Sequence, residues 1–94
     1  MLAKIWNSRF WIVETRADVL ESAYEKALQD AGFHIVGKVS KCFYPQGFTC
    51  LFLLSESHLA LHTFPEHGKT YVELSSCNEK YFQAFQDMDI FEHA

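Results

Sequence analysis

Leu54-Ser55-Glu56-Ser57-His58-Leu59-Ala60-Leu61-His62-Thr63-Phe64-Pro65-Glu66 is the stretch around which this chain organises. From His58 onward its side chains alternate. His58, Ala60, His62 and Phe64 fall on one side of an extended segment, and Leu59, Leu61 and Thr63 on the other. That alternation predicts a strand over 58–64, closed by a turn at Pro65-Glu66-His67-Gly68. A serine beside a peptide bond, two histidines and, twenty residues after Ser57, the thiol of Cys77 also supply the groups that covalent chemistry uses.

Upstream, the continuous apolar run 48–54 predicts a buried strand, and Pro45-Gln46-Gly47 a turn before it. Residues 33–43 read as a strand with mixed alternation. Leu20, Ala23, Tyr24, Ala27, Leu28 and Ala31 recur at helical spacing between Asp18, which with Glu21 forms a possible capping box, and Gly32, a natural helix end. Residues 9–15 predict the first strand. Downstream, 69–75 predicts another, and Asn78 can cap a last helix carrying Tyr81, Phe82 and Phe85. The order β-α-β-β-β-β-α predicts an α+β layer: a mostly antiparallel sheet with two helices on one face, in a single domain over 1–94. The other face or an edge is then free for a second copy.

Ninety-four residues lie near the lower end of what builds a core alone, yet 49% hydrophobic content and nine phenylalanines argue for a real one. A formal charge of −4 with scattered basic residues disfavours nucleic acid. No run approaches the roughly 18 apolar residues of a membrane span. The apolar tract within 1–13 is broken by Asn7, Ser8 and Arg9 and has no small-residue cleavage site after it, so it is not read as a signal peptide. Three cysteines, Cys42, Cys50 and Cys77, without a CxxC pair, point away from a disulfide scaffold and toward the cytoplasm. Cys42 and Cys50 read as core residues.

Taken singly, each candidate has an ordinary structural role. Serines at strand junctions are common, a histidine on an apolar strand is usually a satisfied core or interface residue, and a cysteine ending a strand is usually a small buried side chain. A zinc site from His58, His62, Glu66 and Cys77 is disfavoured, because residues i and i+4 of a strand stand about 13 Å apart.

In order and in spacing, however, the segment from Phe43 to Cys77 resembles bacterial S-adenosylmethionine decarboxylases, which cut themselves at a Glu-Ser bond and convert the serine into a pyruvoyl cofactor. The resemblance rests on Phe43-Tyr44-Pro45-Gln46-Gly47-Phe48-Thr49, on Glu56-Ser57-His58, on His62-Thr63-Phe64-Pro65-Glu66-His67-Gly68 and on Cys77. It implies that the Ser57 hydroxyl attacks the Glu56 carbonyl and that Thr49, in place of the family's serine, assists this processing. His62 is then the proton acceptor, and the chain separates into residues 1–56 and 57–94. His58, next to the cut, is then placed to orient the new terminus. The pyruvoyl group on residue 57 is then the cofactor, forming a Schiff base with the substrate amine. Cys77 is the proton donor of turnover, a role open to a thiol whose pKa is held near neutrality. Phe43 stacks on adenine, Phe64 takes a place often held by tryptophan, and Glu66 contacts the ribose hydroxyls. No metal is implied. The family's short chains dimerise with sites built between protomers, so a homodimer is expected.

Asn78 stands where family members usually have glycine, and Glu14-Thr15-Arg16 lies where a Gly-Cys-Asp element is common. Three readings follow: a decarboxylase of S-adenosylmethionine making the aminopropyl donor for polyamine (spermidine) synthesis, a pyruvoyl-dependent decarboxylase of another amino acid such as ornithine or arginine, or an unprocessed ligand-binding or regulatory homologue.

Overall fold

Five antiparallel strands form one sheet in the order β1-β5-β4-β3-β2, in a computed structural model that describes residues 3–94. The first two residues of the 1–13 tract lie outside the described part. The strands are β1 (Trp6–Ile12), β2 (Ile35–Cys42), β3 (Phe48–Leu54), β4 (Ser57–Phe64) and β5 (Lys69–Ser76). Helix α1 (Ala17–Ala31) follows β1, a single 3-10 turn (Pro65–His67) joins β4 to β5, and α2 (Glu79–Gln86) follows β5. The expected element order and the antiparallel sheet are both present.

Both helices cover one face. Leu20, Tyr24 and Leu28 of α1 and Phe82 and Phe85 of α2 meet Cys50, Phe52, Leu59, Leu61, Val72 and Leu74, all of them buried. These sheet residues are the inward half of each strand's alternation. The outward half forms a face that neither α1 nor α2 covers. On it Leu51, Leu53 and Val39 stay exposed, the last at 69%. The apolar run 48–54 is therefore buried on one side only, and β3 reads as continuous because its open face is apolar too.

Three features differ from expectation. The first strand spans Trp6–Ile12 rather than 9–15, because β5 pairs with it from Trp6↔Ser76 to Ile12↔Thr70, and the polar Asn7, Ser8 and Arg9 hide its alternation. Helix α1 starts at Ala17 with Arg16 at the N-cap and no side-chain cap, so the Asp18–Glu21 capping box does not form. Asp18 lies in the first turn instead, where a negative charge is favoured by the helix dipole. Cys42, expected in the core, is exposed, since it ends the outer edge strand where nothing covers it. Cys50 is buried as expected, and burial pushes its thiol up to about 11.

Helix α1 stops as its sequence implies. Gly32 takes a left-handed φ of 111°, with Gly32 N–H donating to the Gln29 carbonyl and Phe33 N–H to the Leu28 carbonyl. The Tyr81 ring of α2 lies where a Cβ on residue 32 would stand, 2.7 Å away, so glycine is needed for packing as well as for φ. The C-terminal tail returns along β1: Val13 N–H donates to the Glu92 carbonyl, Ala94 N–H to the Trp11 carbonyl, and the His93 ring stacks on Phe10.

Candidate active site

The chain between β3 and β4 is as short as a hairpin allows. Leu54 pairs with Ser57, leaving only Ser55 and Glu56 to turn. Glu56 takes φ 61°, a left-handed conformation that costs a non-glycine residue on the order of 1 kcal/mol or more. The Glu56–Ser57 peptide bond thus sits at a strained tip, immediately before β4.

Two elements converge on that bond from β5. Ser57 faces the helices, nearly buried, and its hydroxyl donates to Ser76 Oγ at 3.0 Å. Cys77 follows, its Sγ 3.2 Å from the Glu56 carbonyl oxygen and 3.6 Å from the Glu56 carboxylate. The thiol is held there because the chain turns directly into α2. The Asn78 side chain accepts from Tyr81 N–H at 3.0 Å, and this N-cap fixes the segment one residue beyond the thiol. Asn78 has φ −109°, which asks for no glycine, so its presence in place of glycine is accommodated as a cap. A cleft of about 280 Å³ opens beside Glu56, lined by Phe33, His34, Ser55 and Tyr81 among others.

Burial is the main cause that raises the Cys77 pKa, and the hydrogen bond and negative charge of Glu56 raise it further. This departs from a thiol held near neutrality. At neutral pH the group is a protonated S–H aimed at a carbonyl oxygen, which suits it to donate a proton or to stabilise charge developing on that oxygen.

A second cluster lies at the other end of β4. Thr49 and His62 are cross-strand partners, with Thr49 Oγ1 and His62 Nδ1 3.0 Å apart. On the opposite flank Tyr71 pairs with His62, and the two rings stack with centroids 6.3 Å apart. Glu66 belongs to the Pro65–His67 turn and accepts from Gln46 Nε2 at 3.3 Å, which joins that turn to the β2–β3 loop. Phe43 N–H donates to the Gly47 carbonyl and closes that loop, leaving the Phe43 ring half exposed. Phe64 tilts against Trp11 at 5.7 Å, Trp11 against Tyr71 at 5.2 Å, and Lys69 Nζ lies 4.5 Å over Trp11. The product is a partly exposed aromatic surface of tilted rings, edged by a histidine, a hydroxyl and a carboxylate.

The sequence-based candidates therefore fall into two sets. Glu56, Ser57 and Cys77 are in contact or adjacent. Thr49 and His62 are in contact, with Phe43, Phe64 and Glu66 on the same end of the sheet. One chain does not bring the two sets together: Ser57 and His62 are five residues apart on a strand, about 16 Å, and an odd separation puts their side chains on opposite faces. His58 shares the open face with His62 and pairs with Leu53 and Ser75. Among the described residues no three His, Cys, Asp or Glu side chains are grouped as a metal would require. Ser76, Tyr71, Trp11 and Gln46 also belong to these clusters, and sequence reasoning passed over them. The places of the first three depend on the register between β1, β5 and β4, which no single strand's alternation encodes, and that of Gln46 on the meeting of the β2–β3 loop with the Pro65–His67 turn.

Comparison with known proteins places this geometry. The sequence model described as S-adenosylmethionine decarboxylase matches residues 6–91. A relative from Persephonella marina named S-adenosylmethionine decarboxylase proenzyme is 35% identical over 88 residues, 92% of this chain and 65% of the relative. Proteins of the same name from Brevibacillus brevis and Archaeoglobus fulgidus are 36% and 35% identical, over 79% and 74% of this chain and 55% and 67% of their own. The crystal structure of adenosylmethionine decarboxylase from Aquifex aeolicus VF5 matches with a TM-score of 0.69 at 26% identity, covering 87% of this chain and 72% of that one. This chain thus spans 55 to 67% of the length of those three curated relatives.

Proposed function

The chain belongs to the S-adenosylmethionine decarboxylase family, and we propose from this that it is a self-cleaving, pyruvoyl-dependent decarboxylase of S-adenosylmethionine, acting as a homodimer. The observation that carries the reading is the Glu56–Ser57 bond itself, at a two-residue hairpin tip where Glu56 is strained, with the Cys77 thiol beside it.

In this reading the Ser57 hydroxyl attacks the Glu56 carbonyl carbon. A C–O ester bond replaces the C–N amide bond, and the hydroxyl proton ends on the Ser57 nitrogen. A base then removes the Ser57 α-proton, the ester C–O bond breaks with loss of the Glu56 carboxylate, and the dehydroalanine left behind hydrolyses to a pyruvoyl group and ammonia. The site suits such a group: residue 57 begins a strand held on both sides by β3 and β5, so a new terminus there is anchored. When formed, the pyruvoyl group supplies an electron-withdrawing carbonyl system that takes up the electron pair left by departing carbon dioxide. Residues 1–56 keep β1 and β3, whose partners β5 and β4 are in residues 57–94. Cleavage therefore leaves two interleaved chains rather than two separable halves.

His62 is the base the pattern supplies, but within one chain it is some 16 Å from Ser57. A second copy resolves this. A two-fold axis lying between two open sheet faces, across the strands, would set the hairpin tip of one copy opposite the Thr49–His62 end of the other. The exposed Leu51, Leu53 and Val39 would be covered by the same step. Each site then takes Glu56, Ser57 and Cys77 from one protomer, and Thr49, His62, Phe43, Phe64 and Glu66 from its partner. The half-exposed aromatics suit an adenine face and Glu66 a ribose diol, which favours an adenosyl substrate over ornithine or arginine. The product would be the aminopropyl donor for polyamine synthesis. Three free thiols accord with a cytoplasmic setting.

The test is an intact-mass spectrum of the purified protein under denaturing conditions, followed by a carbon dioxide release assay with S-adenosylmethionine, ornithine and arginine. The reading expects chains of residues 1–56 and 57–94, the second starting with a pyruvoyl group, and release from the adenosyl substrate alone. A single 10.9 kDa species after long incubation would reject self-cleavage.

A further inference from the structure

Ser76 has one of the lowest exposures of any polar side chain in the protein, 1%, and it lies against the serine that the proposed cleavage consumes. Its hydroxyl oxygen has three neighbours. The Asn78 N–H donates to it at 3.0 Å, its own proton can go to the Asn78 carbonyl at 3.3 Å, and the Ser57 hydroxyl donates to it at 3.0 Å. A hydroxyl has one proton and two lone pairs, so this set uses its full capacity. Ser76 is also the direct cross-strand partner of Ser57, so β4–β5 register, not chance rotamer contact, sets the distance.

We infer that Ser76 is a positioning residue for self-cleavage: by accepting the Ser57 O–H it turns that proton away from the scissile carbonyl and leaves the Ser57 oxygen lone pairs free to attack Glu56. Asn78 holds Ser76 through backbone groups while its side chain caps α2, so the start of the helix fixes the direction of the attacking hydroxyl. This rests on the self-cleavage reading and extends it to a residue that touches neither substrate nor the bond that breaks. The step it serves is an isomerisation. The Ser57 Oγ–Glu56 carbon bond forms, the carbon–nitrogen bond breaks, and the hydroxyl proton is returned to the freed nitrogen, so no co-reactant is required.

The experiment compares Ser76→Ala and Ser76→Thr with the unaltered protein by intact mass over time, with and without hydroxylamine, which cuts an ester but not an amide. Ser76→Ala should cleave roughly tenfold more slowly, the rate equivalent of about one neutral hydrogen bond, and hydroxylamine should not restore it because less ester forms. Ser76→Thr keeps the hydroxyl and should recover most of the rate. A block at the later elimination step would instead let ester accumulate and respond to hydroxylamine, which would overturn the assignment. So would alanine and threonine variants that cleave as fast as the unaltered protein. Should Ser76→Ala not fold, Ser76→Cys replaces it, with a sulfur that accepts weakly in nearly the same shape, and an unchanged rate overturns the inference equally. An unaltered protein that never cleaves would refute self-cleavage itself, and this inference with it; a normal rate in the unaltered protein and in Ser76→Ala refutes this inference alone.

Discussion

At the Ser57 end of β4 the chain is tight and saturated. A two-residue turn forces Glu56 to φ 61°, Ser57 and Ser76 are buried, and the Cys77 thiol is hydrogen-bonded to the carbonyl before the bond in question. At the His62 end the side chains are more accessible. Phe43, Phe64 and Trp11 present partly exposed rings, and Glu66 accepts from the side-chain amide of Gln46. The first end holds one bond of its own backbone in one geometry; the second, in the proposed function, would receive the substrate's adenosyl group. The contrast teaches that a chemistry requiring both cannot be completed within one chain, although one chain encodes all of it.

The strongest test of that division removes the bond-breaking group. Ser57→Ala should give one intact chain and no decarboxylation, and any turnover by the uncleaved variant would sink the pyruvoyl mechanism. His62→Ala should arrest cleavage too. If the two ends meet across copies, refolding the Ser57→Ala and His62→Ala proteins together should restore cleavage of the His62→Ala chain, because one mixed site then has both groups. A mixed dimer that stays uncut would place both groups in the same chain and break the comparison.

Cys77→Ala sharpens the picture at the tip. It should still cleave, with turnover lowered roughly a hundredfold or more, the usual worth of a positioned acid. In the uncleaved chain a raised pKa means that the proton is retained to higher pH, so alkylation at Cys77 of the Ser57→Ala protein, followed by mass, should become fast only above the ordinary thiol value of 9.0. Fast alkylation at neutral pH would show that the thiol is not held protonated there. At the open end, Glu66→Gln should leave cleavage untouched and raise KM for the adenosyl substrate by roughly ten- to a hundredfold, the scale of one charge-assisted hydrogen bond. An unchanged KM would remove Glu66 from substrate contact.

Much of this was legible in the sequence. Alternation in 58–64 separated Leu59 and Leu61 from His58 and His62, and the structure puts the first pair in the core and the second on the open face. Gly32 and Asn78 marked helix ends correctly because each acts through local backbone geometry. The start of β1 was not legible, since Trp6 to Arg9 is extended only because β5 pairs with it. Nor was Ser76, whose place depends on the register between two strands, or the separation of Ser57 from His62. Five residues look like nearness in a sequence and are a third of the way across this protein in a strand, whose longest extent is 46 Å.

The smallest effect concerns how the tip is held. Asn78 joins the Cys77 segment to α2 through a side-chain cap on Tyr81 N–H, and glycine at a cap costs only a few tenths of a kcal/mol, whereas alanine costs about 1 kcal/mol. Asn78→Gly should therefore leave melting temperature and cleavage almost unchanged, while Asn78→Ala should lower the melting temperature by about 4–8 °C. If the cap serves only the helix, cleavage of the folded alanine variant proceeds at the normal rate. If the helix start orients Ser76, cleavage slows by more than the lost stability accounts for, since that hydroxyl lies two residues before the cap and accepts from the Asn78 N–H. Measuring both quantities on one sample separates a stabilising cap from one that aims the site. It also shows whether the rigidity of the Ser57 end comes from the hairpin alone or from the helix behind it.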